Sequence, residues 1–290
     1  MKLFDPHIHM TSRPTSDYQA MADAGISAIV EPSFWLGQPR THVGTFEDYF
    51  LSLLGWERFR ASQFGISHFC TLSINPKEAN SPSIAQGVLD LLPRYLEKDG
   101  VVAVGEIGFD DQTDAEEHLF AEPLKLAMEF ELPVLIHTPH RDKKRGTARS
   151  LELVRRVGFP EQRVLIDHNN EETLPMVLET NCWAGHSIYP DTKMDELRMV
   201  ALIQTYGSDR IIINSAADWG VSDPFKVPKT VEAMYEAGLD EKTIQTVVWD
   251  NPVAFFGQSE RLDLDRDPID QSQLWEGNTV PRGQEPVVES

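Results

Sequence analysis

Residues 1–9 read MKLFDPHIH, a short apolar segment that leads directly into two histidines, His7 and His9. In an extended chain, side chains two residues apart lie on the same side. If residues 1–4 form the first strand of a barrel, both imidazoles enter the barrel mouth together. Neutral imidazole is a common ligand of divalent transition metals. For this stretch alone, two polar residues leaving a strand are an equally good explanation.

Seven more short apolar runs follow, separated by segments with helical spacing. They lack the alternation of polar and apolar residues that an exposed antiparallel sheet shows, and they resemble strands buried on both faces. Eight β/α units in one chain predict an α/β fold, a single-domain TIM (β/α)8 barrel. The predicted strands after the first cover residues 26–30, 68–74, 101–104, 132–137, 163–168, 181–188 and 209–214.

The composition divides the chain near residue 257. Residues 1–257 contain every predicted strand and helix of the barrel. Residues 258–290 are rich in Asp, Glu, Gln, Pro and Gly, so we expect an acidic C-terminal tail that is extended over the surface or disordered. Leu274 and Trp275 could dock this tail, and a homo-oligomer stays open as one place for them to dock.

The charge of the chain limits its partners. The 290 residues include 26 Lys plus Arg and 46 Asp plus Glu, which gives a net charge of −20. Such a field is unfavourable for nucleic acids and for anionic membrane surfaces. No apolar run is long enough to span a bilayer, and no secretory h-region is present. The two cysteines, Cys70 and Cys182, fit buried reduced thiols, so we expect a soluble, cytoplasmic protein.

Histidines and acidic residues, which commonly bind metals, stand at the carboxyl ends of several predicted strands. Barrel enzymes have their active sites at this end. Each has a structural explanation on its own, since Glu106 could cap a loop and Asp218 a helix. To explain all of these residues without a metal, a separate structural reason would be needed at each of several unrelated strand ends. One shared metal site explains them together and is therefore the better interpretation. We expect His42, His68 and His118 at the surface or rim. The candidate ligands are His7, His9, Glu106, His137, His168 and Asp218.

These residues resemble the TatD-type metal-dependent hydrolases of the amidohydrolase superfamily, over about residues 1–257. The motifs are DPHIHM (5–10), GEIGFD (105–110), PVLIHTPH (133–140), IDHN (166–169) and TIQTVVWDNPVAFF (243–256). The resemblance implies two metal positions bridged by the carboxylate of Glu106. The other implied ligands are His7, His9 and Asp218 for one position, and His137 and His168 for the second.

The chain departs from the family pattern at two strand ends. After strand 8, NSAADWG (214–220) stands where the family commonly has Thr-Asp-x-Pro. After strand 6, His168 is followed by two asparagines. These departures indicate a divergent branch and argue against a nuclease substrate more than against the metal site.

The leading functional interpretation is a metal-dependent hydrolase acting on a small molecule. One or two divalent cations, zinc, manganese or magnesium, would activate water against an ester, lactone, amide or phosphoester bond. The mixed nitrogen and oxygen ligands suit Zn²⁺ or Mn²⁺ better than Mg²⁺. Asp218 and Glu106 are the predicted catalytic residues, and Asp218 would pass the water proton to the leaving group. The predicted substrate-binding residues are His140, Arg141 and His186.

Two other functions stay open from the sequence. A TatD-like DNase, a 3′–5′ exonuclease, would need a basic groove, which the net charge disfavours. A non-catalytic metal-binding barrel protein is the third interpretation, and chelator-sensitive activity would exclude it. The long loop at residues 34–45 carries Phe34 and Trp35, which either wall a substrate pocket or pack on the barrel rim.

Overall fold

A computed structural model describes residues 1–264, so residues 265–290 of the predicted tail lie outside the described part. Eight strands form one parallel sheet in chain order, each hydrogen-bonded to the next. This confirms the predicted TIM barrel. The strands are β1 (Leu3–Asp5), β2 (Ile26–Pro32), β3 (Ser67–Leu72), β4 (Val101–Gly108), β5 (Val134–His137), β6 (Val164–Ile166), β7 (Trp183–Ser187) and β8 (Ile211–Asn214).

Helices follow the strands and form the outer layer. The helical stretch between β2 and β3 is divided into two α-helices by a π-helical segment, Ser52–Glu57. A second π-helical segment, Thr246–Asp250, interrupts the last helical stretch. No helix among residues 1–264 is long and apolar enough to cross a membrane. The α-helices are α1 (Thr15–Asp23), α2 (Val43–Leu51), α3 (Arg58–Ser62), α4 (Pro82–Leu96), α5 (Asp114–Glu129), α6 (Lys143–Val157), α7 (Leu174–Leu178), α8 (Glu196–Tyr206), α9 (Lys226–Glu236), α10 (Glu241–Gln245) and α11 (Asn251–Phe256).

Helix starts are fixed by short polar side chains. The side chains of Thr113, Asp195 and Asp240 each accept a hydrogen bond from a backbone N–H in the first turn of the following helix. Such N-caps satisfy donors that have no partner within the helix. Thr113 and Asp195 thereby fix the starts of the helices that follow β4 and β7.

The segments that follow β8 and β1 close the barrel. The N–H of Ala216 donates to the carbonyl of His7 at 2.8 Å, and the N–H of His9 donates to the carbonyl of Ala217 at 2.8 Å. The N–H of Ser215 donates to Asp5 Oδ1 at 3.1 Å. The two predicted ligand-bearing segments, after β1 and after β8, are therefore joined directly by hydrogen bonds.

Inside the barrel, an apolar layer lies below a polar one. Phe69, Leu135, Leu165 and Ile212 belong to a buried cluster that the phenylalanines of α11 also join. Because alternate residues of a strand share a face, the residues two positions later point the same way. Those residues are Thr71, His137, Asp167 and Asn214, and all are buried.

His68 lies in β3 and is buried, so its predicted place at the surface or rim is wrong. Its Nε2 lies 2.9 Å from Glu31 Oε2 of the neighbouring β2. The adjacent residue, Phe69, faces the barrel interior, so alternation turns His68 toward the helices. A buried carboxylate on the next strand gives the imidazole a partner there. Cys70 and Cys182 are buried and unpaired, as predicted.

Candidate metal centre

Three imidazoles converge on one oxygen of Glu106, which lies in β4. Glu106 Oε1 is 3.4 Å from His7 Nε2, 3.5 Å from His137 Nδ1 and 3.5 Å from His168 Nε2. Its other oxygen, Oε2, accepts a hydrogen bond from Asn75 Nδ2 at 3.0 Å. The amide thus fixes the plane of the carboxylate while Oε1 faces the histidines.

The imidazoles form two facing pairs around this carboxylate. His9 Nε2 lies 3.0 Å from His7 Nε2, and His168 Nε2 lies 3.1 Å from His137 Nδ1. In both pairs the rings meet edge to face, with centroids 4.9 Å apart. Ring nitrogens at such separations suit ligands that share a small cation, for which each metal–nitrogen bond is about 2.0–2.1 Å.

The donor set fits a divalent metal ion. Ligand atoms of His7, Glu106 and His168, all buried, lie within 4.8 Å of one another. His137 Nε2 is buried and has no hydrogen-bond partner among residues 1–264. Imidazole nitrogens and a carboxylate oxygen match the ligand preference of zinc and of similar transition metals.

An orienting network of Asp167, Ser187 and Asn214 holds the two central histidines from behind. Asp167 Oδ2 lies 2.6 Å from His7 Nδ1, and Ser187 Oγ lies 2.6 Å from His168 Nδ1. The serine hydroxyl donates to Asn214 Oδ1 at 2.7 Å, and Asn214 Nδ2 donates to Asp167 Oδ1 at 3.0 Å.

The direction of these hydrogen bonds sets the tautomers of both histidines. Because Ser187 gives its proton to the amide oxygen of Asn214, its oxygen accepts the proton of His168 Nδ1–H. Because Asp167 only accepts, His7 also carries its proton on Nδ1. In both rings Nε2 therefore offers its lone pair to the mouth, which is the form that a metal ligand needs.

The electrostatic surroundings favour the protonation states in which these side chains can bind a metal ion. Burial alone would raise the pKa of Glu106, but His7 and the other histidines hold that pKa well below its usual value. Burial lowers the pKa values of His9 and His168 well below the usual histidine value. Anionic carboxylates beside neutral imidazoles are the protonation states that bind metal.

The pKa of His7 is shifted in the opposite direction, and this shift shows that the surroundings of its ring favour a positive charge. Burial alone would lower the pKa of His7, but the nearby carboxylates of Glu106 and Asp167 raise it above the usual value. Two buried carboxylates next to one imidazole thus favour a cation at this place. A divalent ion among the imidazoles would satisfy the same field.

Left-handed backbone turns direct the loops that carry the site. His168 has φ of 61° and Ala216 has φ of 43°, values that side-chain-bearing residues adopt at a cost of about 1–3 kcal/mol. The N–H of His168 donates to Asp167 Oδ1 at 2.7 Å, which stabilises the turn. Strain of this kind concentrates at functional sites, and here it turns the His168 ring toward Glu106.

Asp218 lines the same cavity as the histidines. Its Oδ1 accepts hydrogen bonds from Tyr189 Oη at 2.9 Å and from the N–H of Gly220 at 2.8 Å. Its carbonyl accepts from Arg13 at 2.9 Å. Within residues 1–264, the tight group of three ligand atoms does not include this carboxylate. Asp218 is therefore held in the wall of the cavity, outside this group of ligand atoms.

The metal-type residues form the floor of a cavity of about 570 Å³. Phe34, Trp35 and Trp219 line it with aromatic rings. Phe34 stacks on His9 at 3.6 Å between ring centroids and lies 4.6 Å from Trp219. Aromatic walls above a small polar floor are typical of small-molecule sites. The other lining residues are His7, His9, Asn75, Lys77, Glu106, His137, His140, His168, Tyr189, Thr192, Lys193, Ala216 and Asp218.

The three predicted substrate-binding residues lie in different places. His140 lines the cavity, with its ring centroid 6.3 Å from that of His137. Arg141 does not line it, because its side chain is 90% exposed and points to Asp111, 3.8 Å away. His186 is fully buried, and neither of its ring nitrogens has a hydrogen-bond partner among residues 1–264.

The position of His186 on β7 explains why it does not reach the mouth. A Cβ on the preceding residue, Gly185, would meet Asp167 Oδ1 inside the barrel at 2.4 Å. Since neighbouring residues face opposite sides of a strand, His186 faces the helix layer together with Ala184. The predicted substrate contact of His186 therefore has no support in the fold.

Several residues of the site were not predicted from the sequence. Asp167, Ser187 and Asn214 lie in or next to strands, where they read as strand residues. Asn75 directly follows the third predicted strand, and nothing in the sequence marked it as part of the site. One signal was present in the sequence: Asp167 is a carboxylate within a strongly apolar strand, and a buried charge needs partners.

Comparison with protein families matches residues 4–257 to the family described as TatD related DNase. A curated relative, an uncharacterized metal-dependent hydrolase of Methanocaldococcus jannaschii, is 26% identical over 257 residues, which are 88% of this chain and 99% of the relative. The match thus spans the whole barrel.

Solved structures with the same fold include a TatD-like protein of Archaeoglobus fulgidus. It aligns with a TM-score of 0.74 and 29% identity, covering 87% of this chain and 99% of that one. The phosphotriesterase homology protein of Escherichia coli, solved with phosphate in its active site, aligns with a TM-score of 0.63 and 14% identity, covering 88% of this chain and 98% of that one. At that identity the likeness shows the barrel fold alone.

Proposed function

The chain belongs to the TatD family and is a metal-dependent hydrolase, and we propose that it cleaves an ester, lactone, amide or phosphoester bond of a small molecule at a centre of two divalent cations. The family match agrees with the resemblance drawn from the motifs. The substrate class and the number of cations are the proposed part.

The observation that carries the proposal is the position of Glu106 between two facing pairs of imidazoles. One carboxylate oxygen lies within 3.5 Å of nitrogens from both pairs. A carboxylate oxygen has two lone pairs and can serve two cations, whereas each imidazole serves one. In the proposed centre, the ligands are His7, His9 and Asp218 on one side, His137 and His168 on the other, and Glu106 between them.

Divalent cations held by these residues would supply Lewis acidity, which activates water and polarises the bond to be cleaved. The chain supplies the remaining chemistry. Asp218 accepts the water proton and returns it to the leaving group. Tyr189 and the N–H of Gly220 hold one oxygen of this carboxylate and so fix its direction. Phe34, Trp35 and Trp219 line the cavity and cover part of its floor.

A small molecule fits this site better than DNA. The cavity of about 570 Å³ is lined by the aromatic rings of Phe34, Trp35 and Trp219, and its size suits a compact ligand. A nuclease would need a long basic groove for phosphates, and the chain carries a net charge of −20. The family description favours a DNase as the second candidate.

The test is hydrolysis by protein loaded with Zn²⁺ or Mn²⁺, against a panel of chromogenic esters, lactones, amides and phosphoesters and a labelled DNA oligonucleotide. We expect chelator-sensitive hydrolysis of a small substrate. We also expect a loss of about 10²–10⁴-fold in kcat for Asp218→Asn, whose proton acceptor is removed.

Asp111→Asn removes an exposed carboxylate near the rim and serves as the matched control. Preferential hydrolysis of DNA, weakening steeply with salt, would replace the small-molecule proposal by the nuclease. Full activity of Asp218→Asn would refute the role of this carboxylate.

A further inference from the structure

Lys193 lies in the segment between β7 and α8 and lines the cavity. The segment is folded back on itself, because the N–H of Tyr189 donates to the carbonyl of Met194 at 2.9 Å. The ammonium lies 5.2 Å from the centroid of the Tyr189 ring and 3.2 Å from His168 Nδ1. Its charge is thus held at the edge of the candidate metal centre.

Within residues 1–264, the ammonium of Lys193 has no carboxylate partner and no hydrogen-bond acceptor that uses all of its donors. Among residues 1–264 it forms no ion pair with a carboxylate, whereas Lys77, which also lines the cavity, pairs with Asp110 at 3.0 Å. His168 Nδ1 cannot accept from it, because that nitrogen gives its own proton to Ser187. An ammonium carries three donors and no acceptor, so Lys193 offers hydrogen bonds to the cavity.

Further lysines act, together with Lys193, on His140, which also lines the cavity. Burial lowers the pKa of His140 to about 4, and the nearby charges of Lys193, Lys143 and Lys77 lower it further. These side chains therefore act on the same region of the cavity. In a chain whose net charge is −20, these ammonium groups give the cavity positive charges that attract an anionic ligand.

We propose that Lys193 binds an oxyanion of the substrate, a phosphate or a carboxylate, beside the metal centre. This inference rests on the proposed function and narrows it to substrates that carry such a group. A lysine binds oxyanions as a point charge through strong charge-assisted hydrogen bonds. Its place next to His168 brings the bound group close to the bond that would be cleaved.

The test is calorimetric titration of metal-loaded protein with inorganic phosphate and, separately, with acetate. For Lys193→Met we expect affinity for at least one anion to fall about tenfold or more, as for a lost charge-assisted hydrogen bond. Lys193→Arg keeps the charge and should restore most of the affinity. Lys144→Met removes an exposed lysine outside the cavity and should bind as the wild type does.

The affinities of Lys193→Met for the two anions identify the oxyanion. A lower affinity for phosphate alone indicates phosphoester substrates, and a lower affinity for acetate alone indicates substrates with a carboxylate. Equal affinities in wild type and Lys193→Met, or no binding by the wild type, would overturn the proposal. Metal content is measured in parallel. A lower content in Lys193→Met would assign the lysine to support of His168 instead, and would also overturn it.

Failure of the proposed function gives a different result. Wild-type protein would then hydrolyse none of the small substrates, while its affinity for the anion would still depend on Lys193. Where hydrolysis is found, p-nitrophenyl phosphate and p-nitrophenyl acetate form a matched anionic and neutral pair. We expect Lys193→Met to lower kcat/KM for the anionic substrate and to leave that for the neutral one unchanged.

Discussion

Replacement of Asp167 by asparagine tests how the candidate centre is held in its metal-binding form. Asp167 is fully buried, and it accepts from His7 Nδ1 at 2.6 Å, from the N–H of His168 at 2.7 Å and from Asn214 Nδ2 at 3.0 Å. Asparagine has the same shape but only one accepting oxygen. In either orientation, its NH₂ group would face a donor that the carboxylate now satisfies.

The expected magnitude follows from these contacts. The bond to His7 is short and charge-assisted, a class that contributes about 1.5–3 kcal/mol. Without it, His7 can move its proton to Nε2, and that nitrogen then no longer binds a cation. Since about 1.4 kcal/mol corresponds to a tenfold change in affinity, Asp167→Asn should weaken metal binding by about 10–100-fold.

The assay is competition for Zn²⁺ between the protein and a chromophoric chelator at pH 7.5. Asp111→Asn, an exposed residue outside the cavity, is the matched control and should keep wild-type affinity. Circular dichroism establishes that the variant is folded. A folded Asp167→Asn protein with unchanged Zn²⁺ affinity would refute the orienting network.

Three further predictions follow from other contacts. Burial lowers the pKa of His186 to about 4, so below its unfolded value of 6.5 the unfolded state takes up a proton that the folded state refuses. In urea unfolding of metal-free protein, His186→Leu should therefore gain about 2 kcal/mol over the wild type between pH 8 and pH 5, and parallel pH curves would contradict this. A Cβ at Gly185 would lie 2.4 Å from Asp167 Oδ1. Gly185→Ala should therefore lose about 1–3 kcal/mol of unfolding free energy and should also bind Zn²⁺ more weakly. An unchanged unfolding free energy and an unchanged Zn²⁺ affinity would show that Asp167 can shift freely. Metal at about 100 times its Kd should raise the Tm by about 5–10 °C over chelator-treated protein in scanning calorimetry, and coinciding transitions would exclude a metal held by the folded state.

The sequence predicted the barrel because its signal is repeated. Each of the eight apolar runs corresponds to a strand, and the order of the runs is the order in the sheet. Strand ends carry the candidate ligands, since parallel strands bring all their carboxyl ends to one rim. The residues that line the floor of the cavity were therefore accessible from spacing and residue type.

The direction of single side chains was harder to predict. His186 and His137 both stand at strand ends, yet one faces the helices and the other the mouth, because the first is one residue out of phase with the interior. His68 has the same relation to Phe69. A shift of one residue reverses the face, and strand bounds from a sequence are less accurate than that.

The orienting network could not be predicted, because it depends on pairing between strands. Ser187 and Asn214 are register partners on β7 and β8, and Asp167 directly follows β6. Sequence spacing does not give this register. The left-handed turn at His168 gives no sequence signal either, since that conformation favours glycine or asparagine.

The central claim is a two-cation centre bridged by Glu106, and elemental analysis of metal content tests it most directly. Wild-type protein and Glu106→Ala are purified in parallel, equilibrated with Zn²⁺ or Mn²⁺ and freed of unbound metal. The bridged centre predicts about two equivalents in the wild type and a large loss in Glu106→Ala, because the variant lacks the shared ligand. Wild-type protein that is metal-free and takes up neither ion on titration would contradict the claim.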